Sequence, residues 1–362
     1  MNKTATKFAL ALMALTFVGS QVQAQFTTTF AKNVNPGQQS GFYYALPQTM
    51  LQIDFVVEET ECEQGPLSEF ASSYFPNVEY IEYGATEHKL VEARMTRLAT
   101  PDPNATFFVS FGNARGSAKA EFDILPNGII RSVGCGNALS EETVTTAEPS
   151  PSTGSPCASD APKSGFINLV SSGKSDAQLA REAANRIEDL RNAKYYLITG
   201  DNDMSSNPET FNAMYQRIEE MEQEYLSLFL GKRNTRTVVK TVYVIPSKEV
   251  TTQTVAKFSE AEGFTSGTTG SGTPIMVQTL PLNATASINA PSQTAIESLS
   301  YDNKLFYRVP ELSNVKVSYQ GKTLLEERIV VNQLGVLLMA PFTNSKLFFD
   351  TTTGQITNLK MQ

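Results

Sequence analysis

Apolar and polar residues alternate along much of the stretch from residue 42 to residue 133, as they do in half-buried β-strands. The alternation is clearest at the start of Thr49–Glu58. Pro126-Asn127-Gly128 lies between two apolar runs and predicts a β-hairpin, because Asn-Gly readily forms a tight turn. Residues Leu67 to Tyr74 follow a Gly-Pro turn and predict one short helix. We therefore expect a mixed sheet with a helical insertion.

Two amphipathic helices are predicted next, at about residues 176–198 and 208–230. Ser175 and Gln178 have the spacing of a capping box, and Pro208 stands at the first position of the second helix. Apolar residues then recur at helical spacing, namely Leu179, Ala183, Ile187 and Leu190, and then Phe211, Met214, Ile218, Met221, Tyr225 and Leu228. We expect these stripes to be buried against each other and a sheet, and the glutamates of the second helix to face solvent.

Alternation returns from Thr235 to the C-terminus, in short runs separated by Gly and Asn. The apolar runs lie at 238–245, 275–280, 305–309, 315–319, 324–331, 336–339 and 347–349. Short strands at this spacing predict a β-sandwich. The expected fold class is therefore α+β and β-rich, with an N-terminal mixed-sheet domain, an amphipathic helix pair and a C-terminal antiparallel β-sandwich.

The length of 362 residues suggests about two domains. We predict a signal peptide at 1–24, an N-terminal α+β domain at 25–232 and a C-terminal sandwich domain at 233–362. Residues 138–164 are dominated by Ser, Thr, Pro, Ala and Glu and hardly contain a large apolar group. We predict that this segment is flexible, because it cannot bury enough apolar surface to become ordered.

The first two dozen residues predict export. Lys3 and Lys7 lead into the apolar run Phe8–Val18, and a small-residue cleavage signal ends at Ala24. The run is shorter than the ~20 residues of a membrane-spanning helix, and no cysteine follows that could carry a lipid. We therefore expect an exported mature protein without a transmembrane span, in the periplasm or associated with the outer membrane.

The net charge argues against several partners. The chain has 29 Lys plus Arg and 37 Asp plus Glu, a net charge of −8, and loss of Lys3 and Lys7 makes it −10. Nucleic acids and anionic lipids favour clustered basic residues. We therefore expect no nucleic-acid partner, and an envelope protein or a glycan is the expected partner.

Three cysteines would lie in a compartment where disulfides persist. Cys135 and Cys157 flank the polar segment and form the candidate disulfide. Cys62 could replace either partner or stay free, since pairing cannot be read from sequence alone. Its neighbours Glu61 and Glu63 disfavour a thiolate, so Cys62 is not expected to be a nucleophile.

His88 is the only histidine, and any Ser/His/Asp or Cys/His site would have to use it. It stands among charged residues with no candidate nucleophile nearby in sequence, and we predict a surface residue. One histidine and scattered cysteines offer no zinc-ligand spacing. We expect no catalytic residue, no metal site and no cofactor, although the 37 acidic residues leave a carboxylate pair for glycan hydrolysis open.

Two polar segments superficially resemble ligand-binding loops. Asp201-Asn202-Asp203 opens like a calcium loop, but Ser206 and Asn212 stand where an EF-hand needs Gly and Glu. We expect a polar turn there. Gly263–Gly272 is rich in glycine, but no Gly-Lys-Ser/Thr follows and its flanks predict strands, so we expect a mobile loop.

Several short segments have the character of turn and packing landmarks. They are Gly41–Pro47, Gly65-Pro66, Glu224–Lys232, Phe258-Ser259 near Gly263, Leu305–Pro310, Gln333–Val336 and Phe349-Asp350 with Gly354. These landmarks are spread over nearly all of the mature chain, and through them the sequence resembles an exported family of bacteria of the Bacteroides group. That family is the domain of unknown function with family number 4831. The landmarks contain no acid, base or ligand cluster, so the resemblance implies a fold and transfers no catalytic residue.

Sugar chemistry enters in two ways. Asp350-Thr351-Thr352 is similar to the sites that bacteria of this group O-glycosylate, which makes Thr351 a candidate O-glycosylation site. Sugar binding is a reasonable ligand hypothesis for a β-rich exported protein. The chain lacks tryptophan, the best aromatic platform, but 13 tyrosines could substitute.

These observations favour a non-catalytic binding or assembly component of the cell envelope. The alternatives are a carbohydrate-binding module and a carboxylate-based glycan hydrolase. Two carboxyl groups about 5 to 10 Å apart across a cleft would favour the hydrolase, and exposed coplanar tyrosines would favour the module.

Removal of residues 1–24 is a first testable expectation. For protein made in a Gram-negative host, we expect the intact mass of the envelope fraction to show a chain that begins at Gln25, because signal peptidase cuts after the small-residue signal. Leu12→Lys should interrupt the apolar run and leave the precursor uncut. An exported wild-type chain that retains Met1 would contradict the prediction.

Overall fold

The computed structural model describes residues 26–35, 37, 39–111, 120–135, 173–199, 208–342 and 345–361. The predicted signal peptide, the segment 138–164, Cys157 and Asp201–Asp203 lie outside the described residues.

Strands make up 53% of the described residues and helices 23%, which confirms the α+β, β-rich fold class. The strands are β1 (Thr27–Phe30), β2 (Gly41–Glu63), β3 (Ala85–Ser110), β4 (Ala120–Ile124), β5 (Ile130–Cys135), β6 (Lys232–Val244), β7 (Thr252–Ser259), β8 (Gly263–Ser266), β9 (Thr273–Pro281), β10 (Ser300–Asp302), β11 (Lys304–Tyr319), β12 (Lys322–Pro341), β13 (Ser345–Phe349) and β14 (Ile356–Met361). The helices are α1 (Ala71–Tyr74), α2 (Asp176–Thr199), α3 (Pro208–Leu230) and α4 (Gln293–Ser298), with 3-10 turns at Ala31–Asn33 and Ser68–Phe70.

The strands form three antiparallel sheets. The first sheet has the order β10-β1-β3-β2-β6, the second sheet β12-β11-β9-β7-β8 and the third sheet β14-β13-β5-β4. Strand β1 lies between β3 and β10, where Thr27 pairs with both Ser110 and Asp302. The first described strand therefore joins a sheet with a segment near the other end of the chain.

Two long hairpins, β2–β3 and β11–β12, carry the same irregularity in their pairing. In the first hairpin one residue, Leu46, lies opposite the four residues 102–105. In the second hairpin one residue, Pro310, lies opposite the four residues 332–335. These excursions are large β-bulges, which bend a strand and end its regular ladder locally.

The hairpins also match in the residues that they bury beyond the bulges. Counted from the single residue of each bulge, Leu51 of β2 corresponds to Val315 of β11, and Ile53 corresponds to Val317. All four side chains are fully buried. The two hairpins are thus structural repeats that bend at the same position.

Two large apolar cores lie on either side of the bulges. The first core contains Tyr44 and Phe306, and the second core contains Leu51 and Val315. Both cores include residues from each side of the predicted domain boundary at 232. Side chains from both sides of this boundary thus share both cores. The division into two domains stays a prediction.

Four of the apolar runs predicted after residue 235 merge into two long strands. The runs 305–309 and 315–319 belong to the single strand β11, and the runs 324–331 and 336–339 belong to β12. The runs are separated by stretches that include the residues of the bulge, which are Pro310 in β11 and residues 332–335 in β12. They bend the strands without ending them, because the ladder resumes on both sides.

The helix pair forms a third, smaller core. The capping box is present in both directions, with the Ser175 N–H donating to Gln178 Oε1 at 3.0 Å and the Gln178 N–H donating to Ser175 Oγ at 3.4 Å. Leu179, Ile187 and Phe229 are buried with Leu67 of the short helical segment that precedes α1. The sequence predicted that the helix pair packs against a sheet. In this core the pair packs against the short helical segment instead.

The second helix differs from its predicted pattern in two ways. Glu222 is buried, not solvated, because Arg191 of α2 donates to it at 2.7 Å and Lys194 lies 3.7 Å away. Met214, in the predicted buried stripe, is 40% exposed. Only the C-terminal part of α3 is a core element.

Phe229→Ala tests that core element. The ring is fully buried, and its centroid lies 5.1 Å from that of Phe75. We expect a loss of about 3 to 5 kcal/mol in the free energy of unfolding, because the substitution removes a large buried group and leaves a cavity. Denaturant unfolding measures the loss. Met214→Ala in the same helix is the control and should change stability by about 0.5 kcal/mol or less; equal effects of the two variants would reject the assignment.

Candidate functional site

A buried ion pair joins the two hairpins at their bulges. Arg308 Nη2 lies 2.7 Å from Asp102 Oδ2, and the two side chains are 6% and 3% exposed. Arg308 also donates from Nη1 to the Pro47 carbonyl at 2.8 Å. Burial lowers the pKa of Arg308, and the Asp102 carboxylate opposes that change. The guanidinium and the carboxylate are each other's charge partner, which a buried charge requires.

An amide side chain makes the second connection between the hairpins. Gln333, in the bulge of β12, accepts from the Thr49 N–H at 2.8 Å and donates to the Thr49 carbonyl at 2.9 Å. The same Nε2 donates to the Pro246 carbonyl at 2.8 Å. Gln333 therefore fixes both strand β2 and the loop that follows β6.

The loop after β6, residues 245–251, is held against the bulge of β12. Lys248 Nζ donates to the Gly335 carbonyl at 3.0 Å. Ser247 Oγ accepts from the backbone N–H groups of Glu249 and Val250, at 3.2 and 3.1 Å. Gly335 is needed at its position, because a Cβ there would collide with the Val309 carbonyl. The loop is thus fixed by hydrogen bonds at both ends of its turn.

The loop after β9, residues 282–288, is held by a buried carboxylate. Glu311 of β11 accepts from the N–H of Ala284 at 2.7 Å, from the N–H of Thr285 at 3.0 Å and from the Thr285 hydroxyl. Burial raises the pKa of Glu311, but these hydrogen bonds and one from the Leu312 N–H outweigh it, so the pKa lies below its ordinary value. The ionised carboxylate organises this loop.

A cavity of about 260 Å³ lies between the two loops. Its polar lining residues are Ser247, Lys248, Thr251, Asn283, Thr285 and Glu311. Pro281, Ala286 and Leu334 supply its apolar surface. It is the candidate functional site, because it combines a concave shape, convergent polar groups and rigid walls.

Lys248 is the distinctive charge of this cavity. Burial of its ammonium and the positive charge of Arg308 lower the pKa of Lys248, and Glu311 opposes them. In the part of the chain that the structure covers, no carboxylate oxygen lies within 4.0 Å of Lys248 Nζ, so the ammonium forms no ion pair there. The ammonium is held by a neutral carbonyl.

The structure places the residues singled out in the sequence away from this cavity. His88 Nδ1 lies 3.2 Å from the Glu260 carbonyl and Nε2 lies 4.0 Å from Glu59, so the ring connects the first sheet to the β7–β8 turn. Cys62 is buried in β2 and free. The predicted loop Gly263–Gly272 is shorter than expected, because Gly263–Ser266 pair with β7 as strand β8 and only residues 267–272 connect β8 to β9.

The remaining candidates stay predictions. Cys135 ends strand β5, but its partner Cys157 is outside the described residues, so the structure does not test the disulfide. Thr351 is partly exposed in the turn after β13. Asp350 organises that turn by accepting from the Thr352 N–H and hydroxyl, each at 2.7 Å.

Sequence analysis missed both charged residues of the cavity. Lys248 and Glu311 belong to no motif, and they meet only because the bulges bring loops from distant strands together. The available signal was proline inside a strand, at Pro47 and Pro310, since proline there marks an edge or a bulge.

Residues 40–357 match the family model of the domain of unknown function DUF4831. The match spans most of the chain, and the protein belongs to this family. The resemblance noted from the landmark residues is thereby confirmed at the level of the family.

Comparison with curated proteins and with solved structures gave no match. Of the helices that the structure describes, none combines the length and the apolar content needed to cross a bilayer. Across the described ranges, no three His, Cys, Asp or Glu side chains come together as a metal site would require.

Glu311→Gln tests the carboxylate that organises the loop after β9. At pH 7 we expect a loss of about 1.5 to 3 kcal/mol, because hydrogen bonds to a buried charged acceptor are replaced by weaker or repulsive contacts. The pKa of Glu311 is lowered in the folded protein. Its stabilisation is therefore present above the ordinary carboxyl pKa and disappears as the pH falls through the lower folded value.

Thermal unfolding between pH 7 and pH 3 measures the effect, and the difference between wild type and Glu311→Gln should narrow toward acid. Glu326→Gln is the control, because that exposed carboxylate accepts a single side-chain hydrogen bond within the described residues, from Asn314 at 2.7 Å. A pH-independent difference for Glu311→Gln would contradict the assignment.

Proposed function

We propose that this protein is an exported, non-catalytic binding or assembly component of the cell envelope, and that the cavity between loops 245–251 and 282–288 is its binding site. The cavity supports this proposal because its walls are fixed before any ligand arrives, which lowers the entropy lost on binding.

The state of Glu311 is the observation that carries the proposal. Glycan hydrolysis by carboxylates needs one group that gives a proton and a second that acts as base or nucleophile. Among the lining residues that the structure describes, Glu311 is the only carboxylate, and it accepts hydrogen bonds from Ala284 and Thr285. It therefore serves the loop and has no second carboxylate beside it.

A tyrosine platform for sugars has less support. The exposed neighbours Tyr195 and Tyr196 have ring planes 71° apart, so they do not form one flat surface. The cavity remains the better candidate for a ligand.

Export rests on Lys3, Lys7 and the apolar run that follows them. Strand β1 of the first sheet begins at Thr27, shortly after the predicted cleavage at Ala24. The proposal includes O-glycosylation of Thr351, because the hydrogen bonds inside that turn engage Thr352 and leave Thr351 at its partly exposed start.

Ala286→Phe tests the binding site, because Ala286 is an exposed lining residue and a ring there would fill the cavity. We expect the small-molecule fraction of an envelope extract to raise the melting temperature of the wild-type protein and to leave Ala286→Phe unchanged. Ala261→Phe, at an exposed alanine of the β7–β8 turn, is the matched control.

Stabilisation of both phenylalanine variants would place the binding elsewhere. No stabilisation of the wild type would reject ligand binding by the cavity. Pull-down of tagged protein from the envelope with mass spectrometry would then test the assembly role, and recovery of the bait alone would count against it.

A further inference from the structure

We infer that the cavity binds a small molecule through a carboxylate group, and that the ammonium of Lys248 receives this carboxylate. The inference rests on the proposed function and names the chemical class of its ligand.

The charges around the cavity leave Lys248 as the group that a ligand can pair with. The Arg308 guanidinium is paired with Asp102 at 2.7 Å. The Glu311 carboxylate already accepts three hydrogen bonds from the loop after β9. Lys248 donates one hydrogen bond, to the Gly335 carbonyl. An ammonium has three donors, so two remain.

Three other polar side chains of the lining, those of Ser247, Thr251 and Asn283, can also donate to a ligand. Ser247 Oγ accepts from two backbone N–H groups, which leaves its own O–H free to donate. Thr251 and Asn283 add a hydroxyl and an amide, and in the described chain no hydrogen bond occupies either side chain. A cavity with an ammonium and three further donors favours an acceptor-rich, negatively charged group.

The dimensions restrict the rest of the ligand. A cavity of about 260 Å³ is below the roughly 300 to 1,000 Å³ of sites for drug-sized molecules. Pro281 and Leu334 provide an apolar surface for carbon atoms. The ligand is therefore of monomer size, such as a single sugar acid or a short organic acid.

Neutral and cationic ligands fit less well. A neutral sugar would bring no negative charge of its own, so Glu311 would stay the one carboxylate of the described lining that offsets the Lys248 ammonium. A cation would need Glu311, whose oxygens are engaged by Ala284 and Thr285. A ligand carboxylate would pair with the Lys248 ammonium and accept hydrogen bonds from the donors of the lining in their present positions.

Calorimetric titration of the mature chain with three probes tests the inference. Glucuronate carries a carboxylate and ring hydroxyls, acetate carries the carboxylate alone, and glucose carries the hydroxyls alone. We expect glucuronate to bind more tightly than glucose. If acetate competes with it, a carboxylate from any source is sufficient; if acetate does not compete, the ligand is a sugar acid.

The variant Lys248→Met should weaken glucuronate binding by about 10- to 100-fold, the effect of losing a hydrogen bond to a charged group. Lys248→Arg retains the charge and should recover most of the affinity. Lys257→Met is the matched control, since Lys257 also donates to a loop carbonyl, that of Gly270 at 2.8 Å, but lies outside the cavity lining.

Equal binding of glucose and glucuronate by the wild type would overturn the inference without any variant. Unchanged affinity of Lys248→Met would overturn it as well. If neither acid binds but the extract still stabilises the protein in a manner that Ala286→Phe abolishes, the carboxylate inference fails and the proposed function stands.

Discussion

The buried ion pair between Arg308 and Asp102 connects the two halves of the fold. Two charges inside a protein are costly unless each finds its partner and further hydrogen bonds. Here the Pro47 carbonyl takes a second donor of Arg308, and the Asn104 N–H donates to the second oxygen of Asp102 at 2.8 Å. Each hairpin contributes one charge, so loss of either side chain would leave the other charge buried without its partner.

The cavity depends on the same connection. Because both hairpins bend at this level, the loops after β6 and β9 meet beside the bulge of β12. Glu311 and Gln333 hold those loops. Glu311 directly follows Pro310 in β11, and Gln333 lies in the stretch of β12 opposite Pro310. Lys248 also helps to hold the loop after β6, through the Gly335 carbonyl, and the remaining donors of its ammonium are available to a ligand.

Local elements of the fold could be predicted from local sequence. Ser175 and Gln178 form the capping box that their spacing indicates, and Asn127-Gly128 joins β4 to β5. Their geometry is determined by residues three or four positions apart. Glu222 was predicted wrongly, because its burial depends on Arg191 of another helix.

The long strands and the cavity were beyond such reasoning. Pro310 and the stretch 332–335 look like the ends of strands, since each interrupts the apolar alternation. They remain inside β11 and β12 because Thr49 of the facing hairpin supplies partners for the Asn332 N–H and for the Gln333 amide. The two strands share a Phe-Tyr pair before a proline, which becomes visible when they are compared. The pair is Phe42-Tyr43 before Pro47 in β2 and Phe306-Tyr307 before Pro310 in β11.

The position of β1 has a kinetic consequence. During synthesis Thr27 is among the first residues of the described chain to emerge, but its partner Asp302 follows 275 residues later. Strand pairing over such a separation requires a large loop to close, which is slow. The first sheet can therefore be completed only late, and until β10 is added β1 exposes an open edge to other chains. Chaperones that shield such edges would matter most for this protein in that interval.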